Sequence, residues 1–254
     1  MIASLPMYDW PELRQATGDW WGAIADRLGI DVNLLHGPEG IAAWQSPDLL
    51  FSQTCGYPLT HALAGRVALV ATPHYAADGC FGPNYCSIVF ARREAPLPAF
   101  RGSIAAVNNP DSMSGMLALK LVFAPHAVKG VFFSRAVETG GHINSMIAVR
   151  DGVADVCAID AVCVALARRH RPEILAGLVE IARAPVVPGL PYVTVAGDVV
   201  KLRDALRGAF ADPALAPTRE HLLLGGFSVL AEHDYRRITE LEAAMEREGG
   251  LELI

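Results

Sequence analysis

Short apolar runs alternate with amphipathic stretches along nearly the whole chain, and the period of the pattern switches between two and about three and a half. The opening "IASLPMYDW" reads as a strand ending in a loop. The segment from Glu12 to Leu28 then places Leu13, Trp20, Trp21, Ile24 and Leu28 at helical spacing, with Pro11 suited to the helix start and Gly29 to its end. Four strands are predicted next, "DLLFSQT", "RVALVATPHY", "NYCSIVFARR" and "GSIAAVNN". Ser114 to Ala124 reads as a helix behind a polar knot. "VKGVFFSRAV" reads as a strand, "HINSMIAVRDG" as a short helix stopped by Gly152, "ADVCAIDA" as a buried strand and "CVALARRH" as a helix. An extended, proline-broken stretch, "GLVEIARAPVVPGLPYVTVA", leads to helices predicted over Val199–Ala211, Pro217–Leu224 and Tyr235–Glu248. Strands alternating with helices predict an α/β protein built around parallel sheets.

Two stretches interrupt this alternation, the Gly- and Pro-rich "GCFGPNYCSIV" and "IARAPVVPGLPYV". A chain that leaves one lobe and later returns would bring them side by side as a two-strand hinge. The expected division is a discontinuous first lobe, 1–82 plus 188–254, and a second lobe, 83–187.

Composition narrows the function classes. Hydrophobic residues make up 52% of the 254 and charged residues 19%, enough for a sizeable core. The net charge is −6 with Lys and Arg scattered, so no nucleic-acid partner is expected. No apolar run reaches the roughly 18 residues of a membrane span, so no direct membrane insertion is expected. "MIASLPMYDW" lacks a basic n-region and a long apolar h-region. The chain as it stands therefore reads as cytoplasmic, and as periplasmic if an export signal has been removed. The five cysteines include no CxxC pair, which argues against a disulfide framework and a zinc site; pairing of Cys80 with Cys86 across a loop stays open. Nucleotide-loop, zinc-protease and nucleophile-elbow motifs are absent, so neither cofactor nor metal is expected.

The candidate chemistry sits in polar interruptions. In "NNPDSMSGMLALKLVFA" the group Ser112, Met113, Ser114 and Gly115 directly precedes an apolar helix. A helix cap accounts for it, and so does an anion cradle, because the free N–H groups of a first helical turn and Ser hydroxyls both donate. His142 follows a Gly-Gly turn, where it is either a surface residue or a donor to an anion. Asp160 ends an apolar strand as either a helix N-cap or a site residue. Ligands of open α/β sheets gather at the carboxyl ends of strands, which adds Tyr8, Ser52, Gln53 and Thr54. Tyr57, Tyr85 and Tyr192 lie near strand ends or crossings and are read as half-buried packing unless they converge on one cleft.

The order of "PMYDW", "DLLFSQTCGYPL", "GPNYCSIVF", "NNPDSMSGMLALKL", "TGGHINSMIAVRDGVADVCAID" and "PVVPGLPYVTV" resembles the phosphate/phosphite/phosphonate-binding proteins of ABC transporters, the PhnD-like group. The resemblance implies a type II periplasmic-binding-protein-like fold, two α/β lobes with a hinge and a ligand cleft between them, and a small anionic ligand bound by lobe closure. It also implies an ABC permease as partner. It puts Ser112, Met113 and Ser114 at the oxyanion with Gly115 behind them. His142 and Tyr85 join them, Tyr8 and Ser52 or Gln53 form the opposite wall, and Asp160 closes the far side. Relatives that hold an ammonium group use acidic residues where this chain has Val162 and Leu190, which disfavours an aminoalkylphosphonate. Met113 stands where Thr is common. The alternative is a cytoplasmic enzyme on the same fold acting on a small anionic metabolite, with His142 and Asp160 as acid and base and Cys55 as the nucleophile to test.

Overall fold

The computed structural model describes residues 1–37 and 40–253. In chain order it begins with β1 (Ile2–Ser4), α1 (Arg14–Leu28), β2 (Leu34–Leu35), α2 (Ile41–Trp44), β3 (Leu49–Gln53), α3 (Gly56–Thr60) and β4 (Ala68–Tyr75). The two-residue strands β5 (Cys80–Phe81) and β6 (Asn84–Tyr85) lead into β7 (Ser87–Ala91), β8 (Ile104–Val107), α4 (Ala118–Phe123), β9 (Arg135–Glu138), α5 (His142–Arg150), β10 (Val156–Asp160), α6 (Ala161–His170) and β11 (Val179–Arg183). The chain returns through β12 (Val187–Pro188) to β13 (Tyr192–Thr194), α7 (Val199–Ala211), α8 (Ala216–His221), β14 (Leu224–Ser228) and α9 (Glu232–Arg247).

These elements form two compact units. The first comprises Met1–Ala76, Phe81–Pro83 and Pro188–Tyr235, and the second Ala77–Cys80, Asn84–Val187 and Arg236–Ile254. The predicted crossing stretches share a small sheet of order β12-β6-β5. The last segment departs from the expected first lobe. Leu251 and Leu253 are buried with Phe123, Phe132 and Phe133 of the second unit, and Glu252 N–H donates to the Gly130 carbonyl at 2.9 Å. Burial of these apolar side chains draws the tail to that unit.

The first unit is built on a sheet of order β14-β4-β13-β3-β1-β2. Strands β1, β2 and β3 are parallel, whereas β13 is antiparallel to both β3 and β4, and β14 is antiparallel to β4. The core stacks Trp21 on Phe51 (5.4 Å between ring centres) and Phe51 on Tyr192 (4.8 Å), with Ile24 and Leu206 beside them. Tyr192 is thus a core residue.

The second unit has a sheet of order β11-β7-β10-β8-β9. Here β8, β9 and β10 are parallel, and β7 runs antiparallel to β10 and β11. Both sheets are therefore mixed, a correction to the expected parallel sheets: a strand that re-enters a sheet by a crossing need not keep the direction that a βαβ connection imposes. The expected strand "VKGVFFSRAV" shortens to β9. Lys129 (φ 52°) and Gly130 (φ 75°) close a tight turn between the bridged Val128 and Val131, and Phe132 and Phe133 turn into the core. β14 falls where helix was predicted to Leu224, because Leu223 at φ 58° ends α8 and "LGGFS" pairs with β4.

Candidate functional site

In the second unit the parallel strands β8, β9 and β10 end at one edge of the sheet, and the candidate residues follow those ends. Ser112–Gly115 come after β8, His142 after β9, and Asp160 closes β10. Asp160 pairs in register with Ser87 at the start of antiparallel β7, so the buried Tyr85 lies at the same edge. One strand-end edge thus gathers every candidate of this unit, as expected for a sheet with parallel neighbours.

The helix after β8 starts with a wide turn, Met113–Leu117, in which Leu117 N–H reaches the Ser112 carbonyl at 3.0 Å. Such π-type turns are uncommon and recur at functional sites. Ser112 caps this turn, its Oγ accepting from Gly115 N–H at 3.0 Å. That bond uses an acceptor position of the hydroxyl and leaves its proton for donation. The neighbouring Asp111 is exposed, and its N–H donates to Asn109 Oδ1 at 2.8 Å. Met113, Ser114 and Gly115 are buried. Gly115 packs against the Asn108 side chain: a Cβ there would lie 1.8 Å from Asn108 Oδ1 and 2.8 Å from its Cγ.

His142 opens α5, and its Nε2 lies 2.8 Å from Ser114 Oγ, which in turn is 3.4 Å from Ser112 Oγ. His142 Nδ1 is buried without a hydrogen-bond partner. Whichever ring nitrogen carries the proton, the pair retains one donor: the Ser114 hydroxyl if Nε2–H donates, or Nδ1–H if Ser114 donates. Burial pushes the imidazole down to about 4, so it is neutral near pH 7. The Gly-Gly-His turn is held by Thr139, which sequence reading passed over. Its Oγ1 donates to the Val107 carbonyl at 3.1 Å and lies 2.6 Å from Ser145 Oγ. A threonine directly before two glycines was the available signal.

Asp160 is the N-cap of α6, accepting from Val162 N–H at 2.7 Å and Cys163 N–H at 3.3 Å. Val162 is fully buried beside it. All five cysteines are free, and burial pushes the Cys80, Cys86, Cys157 and Cys163 thiols up, away from thiolate chemistry. Cys55 is buried as well. No group of three or more His, Cys, Asp or Glu suited to a metal occurs among the described residues.

In the first unit, strand alternation separates Ser52 from Gln53. Ser52 turns inward, its Oγ 3.0 Å from Ser4 Oγ and accepting from Trp44 Nε1 at 3.2 Å. Thr54 is fully buried, donating its N–H to the Pro191 carbonyl and its hydroxyl to Cys55 O at 3.4 Å. Gln53 Nε2 donates to Tyr75 Oη and to the Leu190 carbonyl, both at 3.0 Å. The Tyr8 ring packs edge-on against Tyr75 at 5.2 Å. Tyr75 ends β4 and was missed, although the strand-end reasoning that selected Tyr8 applies equally to it. Tyr57 stacks on His61 in and beside α3.

A search of curated protein sequences finds no match. Among solved structures, PhnD1 from Prochlorococcus marinus (MIT 9301) in complex with methylphosphonate aligns with a TM-score of 0.79 at 11% identity, covering 97% of this chain and 98% of that one. A binding-protein component of an ABC phosphonate transporter (PA3383) from Pseudomonas aeruginosa aligns at 0.76 and 18% identity, covering 97% and 87%. XAC2383 from Xanthomonas citri, bound to ATP, aligns at 0.71 and 19% identity, covering 98% and 97%. The shared fold is the mixed α/β, two-lobed architecture of periplasmic binding proteins. Among the described residues no helix is long and apolar enough to cross a membrane. A family model of ABC transporter phosphonate periplasmic substrate-binding proteins matches residues 2–235, and the chain belongs to this family of transport receptors, whose role is to bind substrate rather than transform it.

Proposed function

We propose that the protein binds a small phosphorus oxyanion without an ammonium group (phosphate, phosphite or a simple phosphonate), closes its two lobes on it and delivers it to an ABC permease from the periplasm. The observation that carries this reading is the Ser112–Ser114–His142 chain of donors at the strand-end edge of the second unit. It offers the Ser112 hydroxyl proton and one further proton from the Ser114–His142 pair, and such donors suit a tetrahedral oxyanion. Tyr85, just before β7, and in the first unit Tyr8, after β1, and Gln53, at the end of β3, support the reading as further candidates for contact. The methylphosphonate held by the Prochlorococcus relative supports this ligand class. Buried Val162 and Leu190, apolar at the positions where ammonium-holding relatives carry acids, support the exclusion of aminoalkylphosphonates.

Calorimetry and thermal unfolding with phosphate, phosphite, methylphosphonate, aminoethylphosphonate, sulfate and ATP test the proposal. At a hundredfold excess over Kd, a bound ligand stabilises by about 2.7 kcal/mol, a rise of roughly 5–10 °C in Tm for a chain of this size. At least one of phosphate, phosphite and methylphosphonate is expected to produce it, with aminoethylphosphonate at least tenfold weaker than methylphosphonate. Silence from all three phosphorus oxyanions would sink the reading, and a response confined to ATP would redirect it to nucleotides.

A further inference from the structure

We propose that Thr139 is a positioning residue of the binding site: its hydroxyl ties the Gly140–Gly141 turn to the end of β8 and thereby fixes where His142 stands against Ser112 and Ser114. This deepens the proposed function and rests on that reading.

The turn that places His142 contains two successive glycines with little to hold them. The space where a Cβ would stand is open to 4 Å at both Gly140 and Gly141. Gly140, at φ 76°, takes the left-handed conformation that glycine adopts freely but holds at an entropic cost. The turn is therefore held from outside, and the restraints converge on Thr139. Its N–H donates to the Val107 carbonyl at 2.8 Å, a bond that continues the pairing of β8 with β9 whatever the side chain. Its Oγ1 donates towards the same carbonyl at 3.1 Å and towards the Gly141 carbonyl at 3.2 Å. Its own carbonyl accepts from Asn144 Nδ2 at 2.9 Å, and its Oγ1 lies 2.6 Å from Ser145 Oγ. Ser145 is 1% exposed and has no second acceptor for its hydroxyl proton among the described residues. Carbonyl oxygens only accept, so one arrangement satisfies both hydroxyls: Ser145 donates to Thr139 Oγ1, and Thr139 shares its proton between the Val107 and Gly141 carbonyls. The Thr139 hydroxyl thus joins the last residue of β8, the carbonyl directly before His142, and the first turn of α5. Val107 leads into the segment that carries Ser112 and Ser114, so all three donors are referred to one frame, with His142 Nε2 at 2.8 Å from Ser114 Oγ. A binding constellation keeps its geometry, to within about 0.5 Å, when supporting bonds of this kind lock it.

The test is calorimetry with whichever of methylphosphonate, phosphite and phosphate wild type binds most tightly, on Thr139→Val, Thr139→Ser and Ser145→Ala, with thermal unfolding of each. Valine keeps the shape and the backbone bond and loses the hydroxyl. Thr139→Val is expected to weaken binding about tenfold, as for one impaired hydrogen bond to a charged ligand. Thr139→Ala, which also lacks the hydroxyl, is expected to do the same. Thr139→Ser restores the hydroxyl and is expected to bring affinity back to within about threefold of wild type. Ser145→Ala removes a buried hydrogen bond and is expected to lower Tm as Thr139→Val does, but it leaves both carbonyl bonds of Thr139, so its Kd stays within about threefold of wild type. A merely structural role would not separate affinity from stability in this way. An unchanged Kd for Thr139→Val, a serine variant as weak as the valine variant, or an equal loss in Ser145→Ala would overturn the assignment while wild type still binds. If wild type binds none of the three ligands, the oxyanion reading itself falls and this assignment with it.

Discussion

Replacing Gly115 with alanine is expected to lower thermal stability and to remove oxyanion binding, and replacing Asn108 as well is expected to restore much of the stability. Gly115 lies directly against the Asn108 side chain, so that even a methyl group would meet Asn108 Oδ1 at 1.8 Å and the Asn108 backbone nitrogen at 3.4 Å. The two closest atoms belong to the Asn108 side chain, so relief comes either from rotation of that amide or from a shift of the wide turn that carries Ser112 and Ser114. Forcing an extra carbon into such a contact costs about 1–3 kcal/mol, and a chain of this size loses roughly 2–4 °C per kcal/mol. On the proposed function, a displacement of Ser112 and Ser114 weakens charge-assisted bonds to the ligand, an expected loss of at least a hundredfold in affinity. Asn108→Ala removes the obstructing amide, so the pair Asn108→Ala, Gly115→Ala recovers the melting temperature if the clash is the cause. A single variant as stable as wild type would contradict this account of Gly115.

Substituting His142 carries the second large effect. His142→Ala removes the partner of Ser114 and, on the proposed function, a donor to the ligand, with an expected affinity loss of about a hundredfold at pH 7. The same residue gives the ligand-free protein a pH signature. Its folded-state pKa, about 4, lies below the ordinary histidine value of 6.5, so between these values the unfolded chain binds more protons than the native one. The contribution of His142 is therefore complete above about pH 6.5, is lost progressively as pH falls towards 4, and changes no further below that. One titrating group changes stability by at most about 1.4 kcal/mol per pH unit. His142→Gln keeps an amide donor but does not titrate, so its urea-denaturation stability should decline less than that of wild type between pH 7 and pH 5. Parallel declines in the two proteins would show that the imidazole is not held neutral by burial.

Much of the second unit's candidate edge was legible because its polar residues interrupt apolar strands. Ser112, His142 and Asp160 each stand where an alternating or continuous apolar pattern breaks, and the strand-end rule puts such breaks at one edge when the strands are parallel. Their division of labour was less legible. Asp111 and Ser112 are chemically equivalent cap formers, and only the backbone path shows that Ser112 receives the Gly115 N–H while Asp111 faces solvent. Asp160 is engaged as a cap, the plainer of its two readings. In the first unit Ser52 and Gln53 are neighbours on one strand. Alternation guarantees that they face opposite sides, but which side holds Ser4 and Trp44 depends on packing.

The amino-acid sequence by itself determined the α/β class and the two-lobed plan with its paired crossings, because hydrophobic periodicity and Gly/Pro interruptions are local and survive without knowledge of partners, while the family entered through the resemblance carried by the order of its motifs. Tertiary structure alone decided the directions of β13 and β14, the attachment of the C-terminal segment to the second unit, and the engagement of Tyr75 by Gln53. Each of these rests on contacts distant in sequence. Gln53 reaches Leu190 across 137 positions, Leu253 packs on a phenylalanine cluster contributed by 123–133, and "LGGFS" becomes a strand only because the edge of β4 is there to pair with it. A strand's edge, a buried apolar surface and a fixed carbonyl are supplied by the folded chain, and the residues that answer them carry no local mark of it.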